Sequence, residues 1–127
     1  MDKKGCSGAP KRHPLKMTVV KLTRAEEMFP ELPEGCIENF EHVCPRFKLG
    51  QTFHIDENGN CREDFPCAWA WNDNYAVITT MQAGGHFCQK RAGVQYTCCT
   101  DGLRPVVFKV EWFDDTDLPA TEAKEGK

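Results

Sequence analysis

Val94-Gln95-Tyr96-Thr97-Cys98-Cys99-Thr100-Asp101-Gly102-Leu103-Arg104-Pro105-Val106-Val107-Phe108-Lys109-Val110-Glu111-Trp112 alternates on both sides of a turn. In its second half Val106, Phe108, Val110 and Trp112 point one way, and Lys109 and Glu111 the other. That period of two belongs to a strand with one buried face. In the first half Val94, Tyr96 and Cys98 alternate with Gln95, Thr97 and Cys99. Asp101-Gly102 between the halves is a turn signal. The stretch therefore predicts an antiparallel hairpin closed across Thr100 to Arg104.

Upstream of the hairpin the period changes from two to that of a helix. Trp71, Tyr75, Ile78 and Met81 fall at 4-3-3 spacing, one apolar stripe of a helix running from about Phe65 to Ala83. Asp64 is the expected N-cap, and Pro66 suits the first turn. Cys67 lies one turn before Trp71 on the same stripe, while Asn72, Asp73 and Asn74 lie mostly away from it. Gly84-Gly85 supplies the helix stop. Nearer the N-terminus, Met17 to Leu22 is short and β-branched, as strands are. Thr23-Arg24-Ala25-Glu26 matches a capping box for a short helix that ends before Pro30. Phe47 to Ile55 contains a further strand, with Phe53 and Ile55 on one face and Thr52 and His54 on the other; Asn58-Gly59 turns the chain after it. Strand, short helix, strand, long helix and hairpin predict an α+β fold: a small, mostly antiparallel sheet with one long helix packed on a face.

The whole chain has 127 residues, one domain's worth. Residues 1–14 read as a flexible basic arm, 15–114 as the single α+β domain and 115–127 as an acidic flexible tail. With 16 Lys and Arg against 19 Asp and Glu, the net charge is −3, which gives no general attraction to phosphate backbones or anionic lipid. No apolar run approaches the ~20 residues of a membrane span. Nucleic acid and membrane are therefore not expected partners. No apolar signal core follows Met1, because Lys11, Arg12 and His13 intervene, so a cytoplasmic protein is expected. The edge of a small sheet leaves room for a homo-oligomer, which nothing in the sequence demands.

The odd feature is the cysteine count, eight: Cys6, Cys36, Cys44, Cys61, Cys67, Cys88, Cys98 and Cys99. In a reducing compartment, clustered thiols bind metal or do redox chemistry more often than they form bridges. No two of them have the C-x-x-C spacing of zinc knuckles or thioredoxin-type sites, so any metal site must be assembled by the fold. Three positions stand at element ends: Cys44 before Pro45, Cys67 at the start of the long helix, and Cys98-Cys99 at the hairpin turn. The positive end of a helix macrodipole favours the thiolate, the form that ligates metal or attacks an electrophile. Against this, Cys67 on an apolar stripe is equally at home as a small core residue. Neighbours on a strand face opposite ways, so only one of Cys98 and Cys99 should face the helix. Cys36 and Cys61 are more easily explained as incidental, and Cys88 beside His86 as a reserve ligand. His54 should face solvent and His42 lie in a loop. Asp101 and Arg104 most simply organise the turn, with a further role in protonating a ligand or binding an anion.

The strings Cys44-Pro45-Arg46-Phe47-Lys48-x-Gly50-Gln51-x-Phe53, Cys67-Ala68-Trp69-Ala70-Trp71, Gly84-Gly85 and Cys98-Cys99-Thr100-Asp101-Gly102-Leu103-Arg104-Pro105-Val106 resemble those of a family of small conserved hypothetical proteins of bacteria, many of them anaerobes, and of fungi. The resemblance spans about Leu15 to Phe113 and brings no activity with it. It implies that Cys44, Cys67 and Cys99 belong to the pattern, and that Cys98 belongs to a subset with the doubled cysteine. Cys6, Cys36, Cys61 and Cys88 fall outside it.

Three functions follow from these residues. Thiolates of Cys44, Cys67, Cys98 and Cys99 would make a soft site for zinc, copper, iron or an iron–sulfur cluster. Alternatively, Cys67 is the nucleophile of a metal-free enzyme, with His86 or Asp101 as proton partner and Arg104 as anion anchor. In the third, the helix face with Trp69 at its edge, flanked by His86, forms the wall of a pocket for a small molecule or protein.

Overall fold

The computed structural model describes residues 12–35, 39–85, 87 and 90–114. Cys6, Cys36, His86, Cys88 and the acidic tail lie outside them. The elements run β1 (Leu15–Leu22), α1 (Ala25–Met28), β2 (Thr52–Ile55), α2 (Ala68–Gln82), β3 (Val94–Cys98) and β4 (Val106–Trp112). The four strands form one sheet in the order β2-β1-β4-β3, with every neighbouring pair antiparallel. The fold is α+β, with α2 packed across one face of the sheet. No helix among the described residues is long and apolar enough to cross a membrane.

Register puts the apolar residues of three strands on the helix side. Leu15 pairs with Ile55 and Met17 with Phe53 across β1 and β2. Met17 pairs with Val110 and Val19 with Phe108 across β1 and β4. All of these are buried, together with Phe47, Ala70, Ile78, Met81 and Val106. A bulge between Val19 and Lys21 shifts the β1–β4 register by one residue, the local irregularity that lets Val19 and Leu22 both meet β4. Phe47, Phe53, Phe65 and Phe108 meet at ring angles from tilted to edge-to-face, the arrangement aromatic quadrupoles prefer.

The helix begins later than Asp64, and its inward face matches the expected stripe only in part: Ile78 and Met81 are buried and Trp71 packs partly buried against the core. Pro66 drives the residue before it out of the helical region. Phe65 accordingly leaves the helix and joins the aromatic cluster, and Cys67 becomes the N-cap. The buried face is Ala70, Asn74, Ile78, Met81 and Gln82, while Tyr75, expected inside, is exposed. Two polar side chains, Asn74 and Gln82, are buried instead, each with a partner inside, although Asn74 Nδ2 has none. The Thr97 hydroxyl donates to Asn74 Oδ1 at 3.0 Å, and Gln82 Nε2 donates to the Asp56 carbonyl at 2.7 Å. A hydropathy stripe ignores such pairings, so it held at Ile78 and Met81 and missed Asn74 and Gln82. The short helix is also displaced by one: Arg24, not Thr23, is its N-cap, with Glu27 accepting from the Arg24 amide.

Arg12, His13 and Pro14 extend the folded unit beyond Leu15. The His13 amide donates to Gln82 O, and the Phe113 amide donates to Pro14 O. The His13 ring stacks on Trp112 with centroids 4.2 Å apart.

Candidate functional site

Three of the cysteines singled out by position come from three separate segments to one cavity of about 190 Å³. Cys67 reaches it from the first residue of the helix cap. Its backbone is extended, its carbonyl accepts the Trp71 amide at 3.0 Å, and its Sγ accepts the Ala70 amide at 3.4 Å. A sulfur thus does the work of the usual cap oxygen, satisfying one of the amides a helix start leaves without an intrahelical acceptor.

Cys44 reaches the cavity from the loop before β2. Several contacts hold that loop in place. The Ala25 amide donates to His42 O at 2.8 Å. His42 also pairs with Glu26, whose carboxyl is held down to about 2, first by the Arg24 guanidinium and then by a backbone amide and His42 itself. Arg104 Nη1 donates to Glu41 O at 2.7 Å, and its guanidinium lies 4.7 Å over the Phe40 ring. Just past Cys44, buried Phe47 anchors the chain in the core.

Cys99 reaches it from the first residue after β3, and strand parity decides its direction. Thr97 pairs with core residue Phe108, and Cys98 pairs with Val107 on the opposite face. Cys98 is exposed there, away from the cavity. Of the adjacent pair, Cys99 is therefore the one that lines this cavity with Cys44 and Cys67, as opposite facing of strand neighbours requires. Cys99 donates its amide to Val106 O and accepts the Val106 amide on Sγ at 3.4 Å.

The rest of the lining is polar at one end. Arg46 Nη1 donates to Pro66 O, while Arg104 Nε donates to Asp101 Oδ2. Asp101 Oδ1 accepts the amides of Leu103 and Arg104, so this carboxylate shapes the turn and holds the arginine at once. Two guanidiniums and one carboxylate face the same space. Trp69, half exposed, forms the rim, with its Nε1 donating to Thr100 Oγ1 at 2.6 Å. Thr100 is itself tied to the helix, since its amide and hydroxyl both donate to Asp73 Oδ2.

Comparison with protein-family models, curated proteins and solved structures finds no match. The functional reading therefore rests on the residues themselves. Among the described residues, no group of three or more His, Cys, Asp or Glu side chains is placed to hold a metal ion. The three thiols share a cavity without forming a ready-made ligand shell. His86, expected near the site, lies outside the described residues.

Sequence reasoning missed Arg46 and Asp73. Arg46 lies inside the Cys44-Pro45-Arg46 string, and its cationic head beside a cysteine was the available signal. Asp73 lies off the apolar stripe, which gives it no role. Its partner Thr100 is distant in sequence, so no local signal marks the pair.

Burial pushes the Cys99 thiol above its ordinary value of 9.0, and the opposing amides of Val106 and Asp101 do not cancel this. The native protein then keeps this proton at a pH where the unfolded chain has released it. Unfolding releases a proton in that window, so stability falls as pH rises above about 9. The urea midpoint should fall more steeply there in the native protein than in Cys99→Ser. Equal slopes in the two proteins would contradict the assignment.

Proposed function

We propose that the cavity binds a small anionic ligand and presents Cys67 to it as a nucleophilic thiol. The observation that carries this reading is the joint lining of one cavity by Cys67, Arg46, Arg104 and Asp101. Two guanidiniums outweigh one carboxylate, so an anion is drawn in and a bare cation is opposed. The Cys67 sulfur stands at the helix start, where it accepts the Ala70 amide at 3.4 Å, in the position of many nucleophilic cysteines. The volume is below the ~300 Å³ at which drug-sized pockets begin, so the group held there is small.

The test is competitive alkylation near neutral pH, with each rate divided by that of the same reagent on glutathione. Cys67 is expected to react first, and iodoacetate is expected to gain over iodoacetamide by roughly tenfold from the guanidiniums. Arg46→Gln should reduce that gain. Slow, uniform labelling of Cys44, Cys61, Cys67, Cys98 and Cys99 would overturn the reading.

A second reading is favoured by the convergence of Cys44, Cys67 and Cys99. Closing together, they would supply three soft ligands to zinc, copper or iron, or to a cluster, and leave one position open. Elemental analysis of untagged protein purified without oxygen separates the two. Stoichiometric metal that is lost in Cys44→Ala, Cys67→Ala and Cys99→Ala, but kept in Cys98→Ala, would replace the nucleophile reading with the metal one.

A further inference from the structure

Cys67 lines a second cavity on its other side, of about 260 Å³, together with Cys61, Phe65, Ala68, Trp71 and Asn72. The two spaces differ in chemistry. The first carries both guanidiniums and the Asp101 carboxylate. Among the described residues, the second is lined by no charged side chain and has two aromatic walls, Phe65 and Trp71, whose rings meet at 5.2 Å. Both rings pack against the core on one side and remain only partly buried. The apolar surface on their other side therefore still faces the groove.

We infer that the two cavities are subsites of one ligand, an amphiphilic carboxylate. Its anionic head lies beside Arg46 and Arg104, its electrophilic carbon lies at Cys67, and its apolar chain lies along Phe65 and Trp71. This rests on the nucleophile reading above and adds the ligand class to it. The argument is one of shared lining and complementarity. Cys67 lines both a cationic space and an apolar one, so a molecule bonded to its sulfur has both within reach. An anion alone would use the first cavity and leave the second empty. The helix start lines both, with Cys67, Trp69 and Ala70 at the first and Cys67, Ala68 and Trp71 at the second.

Two 2-bromoalkanoates test this, since 2-bromopropanoate and 2-bromooctanoate share the same head and electrophilic carbon and differ only in chain length. In each case the Cys67 thiolate forms a C–S bond at C2, the C–Br bond breaks, and bromide leaves with the bonding pair. The thiol proton goes to the buffer. Rates at Cys67 are read by peptide mass mapping and divided by those with glutathione. The octanoate is expected to exceed the propanoate by roughly tenfold or more, as burial of several methylenes requires. Trp71→Ala, which removes a wall, and Asn72→Glu, which places a charge at the exposed lip of the groove, should each bring the ratio toward one. The second variant alters only a surface position and guards against a folding defect in the first.

A ratio near one in the native protein would overturn the inference, as would a high ratio that neither variant lowers. If Cys67 still reacts fastest with the propanoate, the nucleophile reading survives that failure. If Cys67 reacts no faster than the other cysteines with either reagent, the nucleophile reading fails and takes the inference with it.

Discussion

Phe108→Ala is expected to destabilise the protein by about 3–5 kcal/mol, the range for truncating a fully buried aromatic residue. Phe108 has no exposed surface and sits on β4, one of the two central strands. Its ring meets Phe47 at 5.2 Å, nearly perpendicular, and Phe65 at 6.1 Å. Across the ladders it pairs with Val19 on one side and Thr97 on the other. Removing the ring leaves a cavity that strands on both sides prevent from collapsing. Urea denaturation at constant m-value measures the loss. A change under ~1.5 kcal/mol would show that the core closes over the gap and that the aromatic cluster is not its keystone.

Gly93→Ala should cost on the order of 2–5 kcal/mol, from two additive causes. Gly93 has a φ of +84°, where an L side chain meets the following carbonyl, at about 1–2 kcal/mol. An added Cβ would also lie 2.5 Å from Trp112 Cε3, an overpacking worth roughly 1–3 kcal/mol. The indole has little room to retreat. The His13 ring stacks on it with planes 13° apart, and its Nε1 donates to Met81 O at 2.8 Å. Gly59, with φ +89° and open space where its Cβ would go, is the control that carries the backbone cost alone. Comparing the two alanine variants by thermal unfolding isolates the steric part. If they lose the same stability, the indole moves freely and the packing argument fails.

These two positions mark how differently parts of the fold declare themselves. The strand faces of Phe53, Ile55, Val106, Phe108 and Val110 were legible because hydrophobic alternation and burial obey the same period. The long helix was legible in kind, and its stop at Gly84, with φ +91°, followed from composition. Its start was not, and its inward face was legible only at Ile78 and Met81. The start depended on Pro66 acting on Phe65, and the rest of the face on Thr97 and Asp56, which partner Asn74 Oδ1 and Gln82 Nε2 from more than twenty residues away, while Asn74 Nδ2 stays without a partner. The contact between Gly93 and Trp112 had no local signature, because Gly93 in isolation resembles any turn glycine.

The candidate site divides along the same line. Cys44, Cys67 and Cys99 were singled out by standing at element ends, and all three line the cavity. The roles of Arg104 and Asp101 became specific only in three dimensions. Arg104 spans from the hairpin turn to Glu41 and Phe40, so it also positions the segment that leads to Cys44.

By itself the sequence determined the α+β class, the alternating faces, the hairpin and the three element ends that carry thiols, because each is written in spacing over a few neighbouring residues. Tertiary structure decided which of Cys98 and Cys99 faces the helix, which helical residues are buried, and which charges share a cavity with Cys67. Those outcomes depend on partners far apart in the chain: strand register sets parity, and a distant acceptor makes burial of a polar side chain affordable.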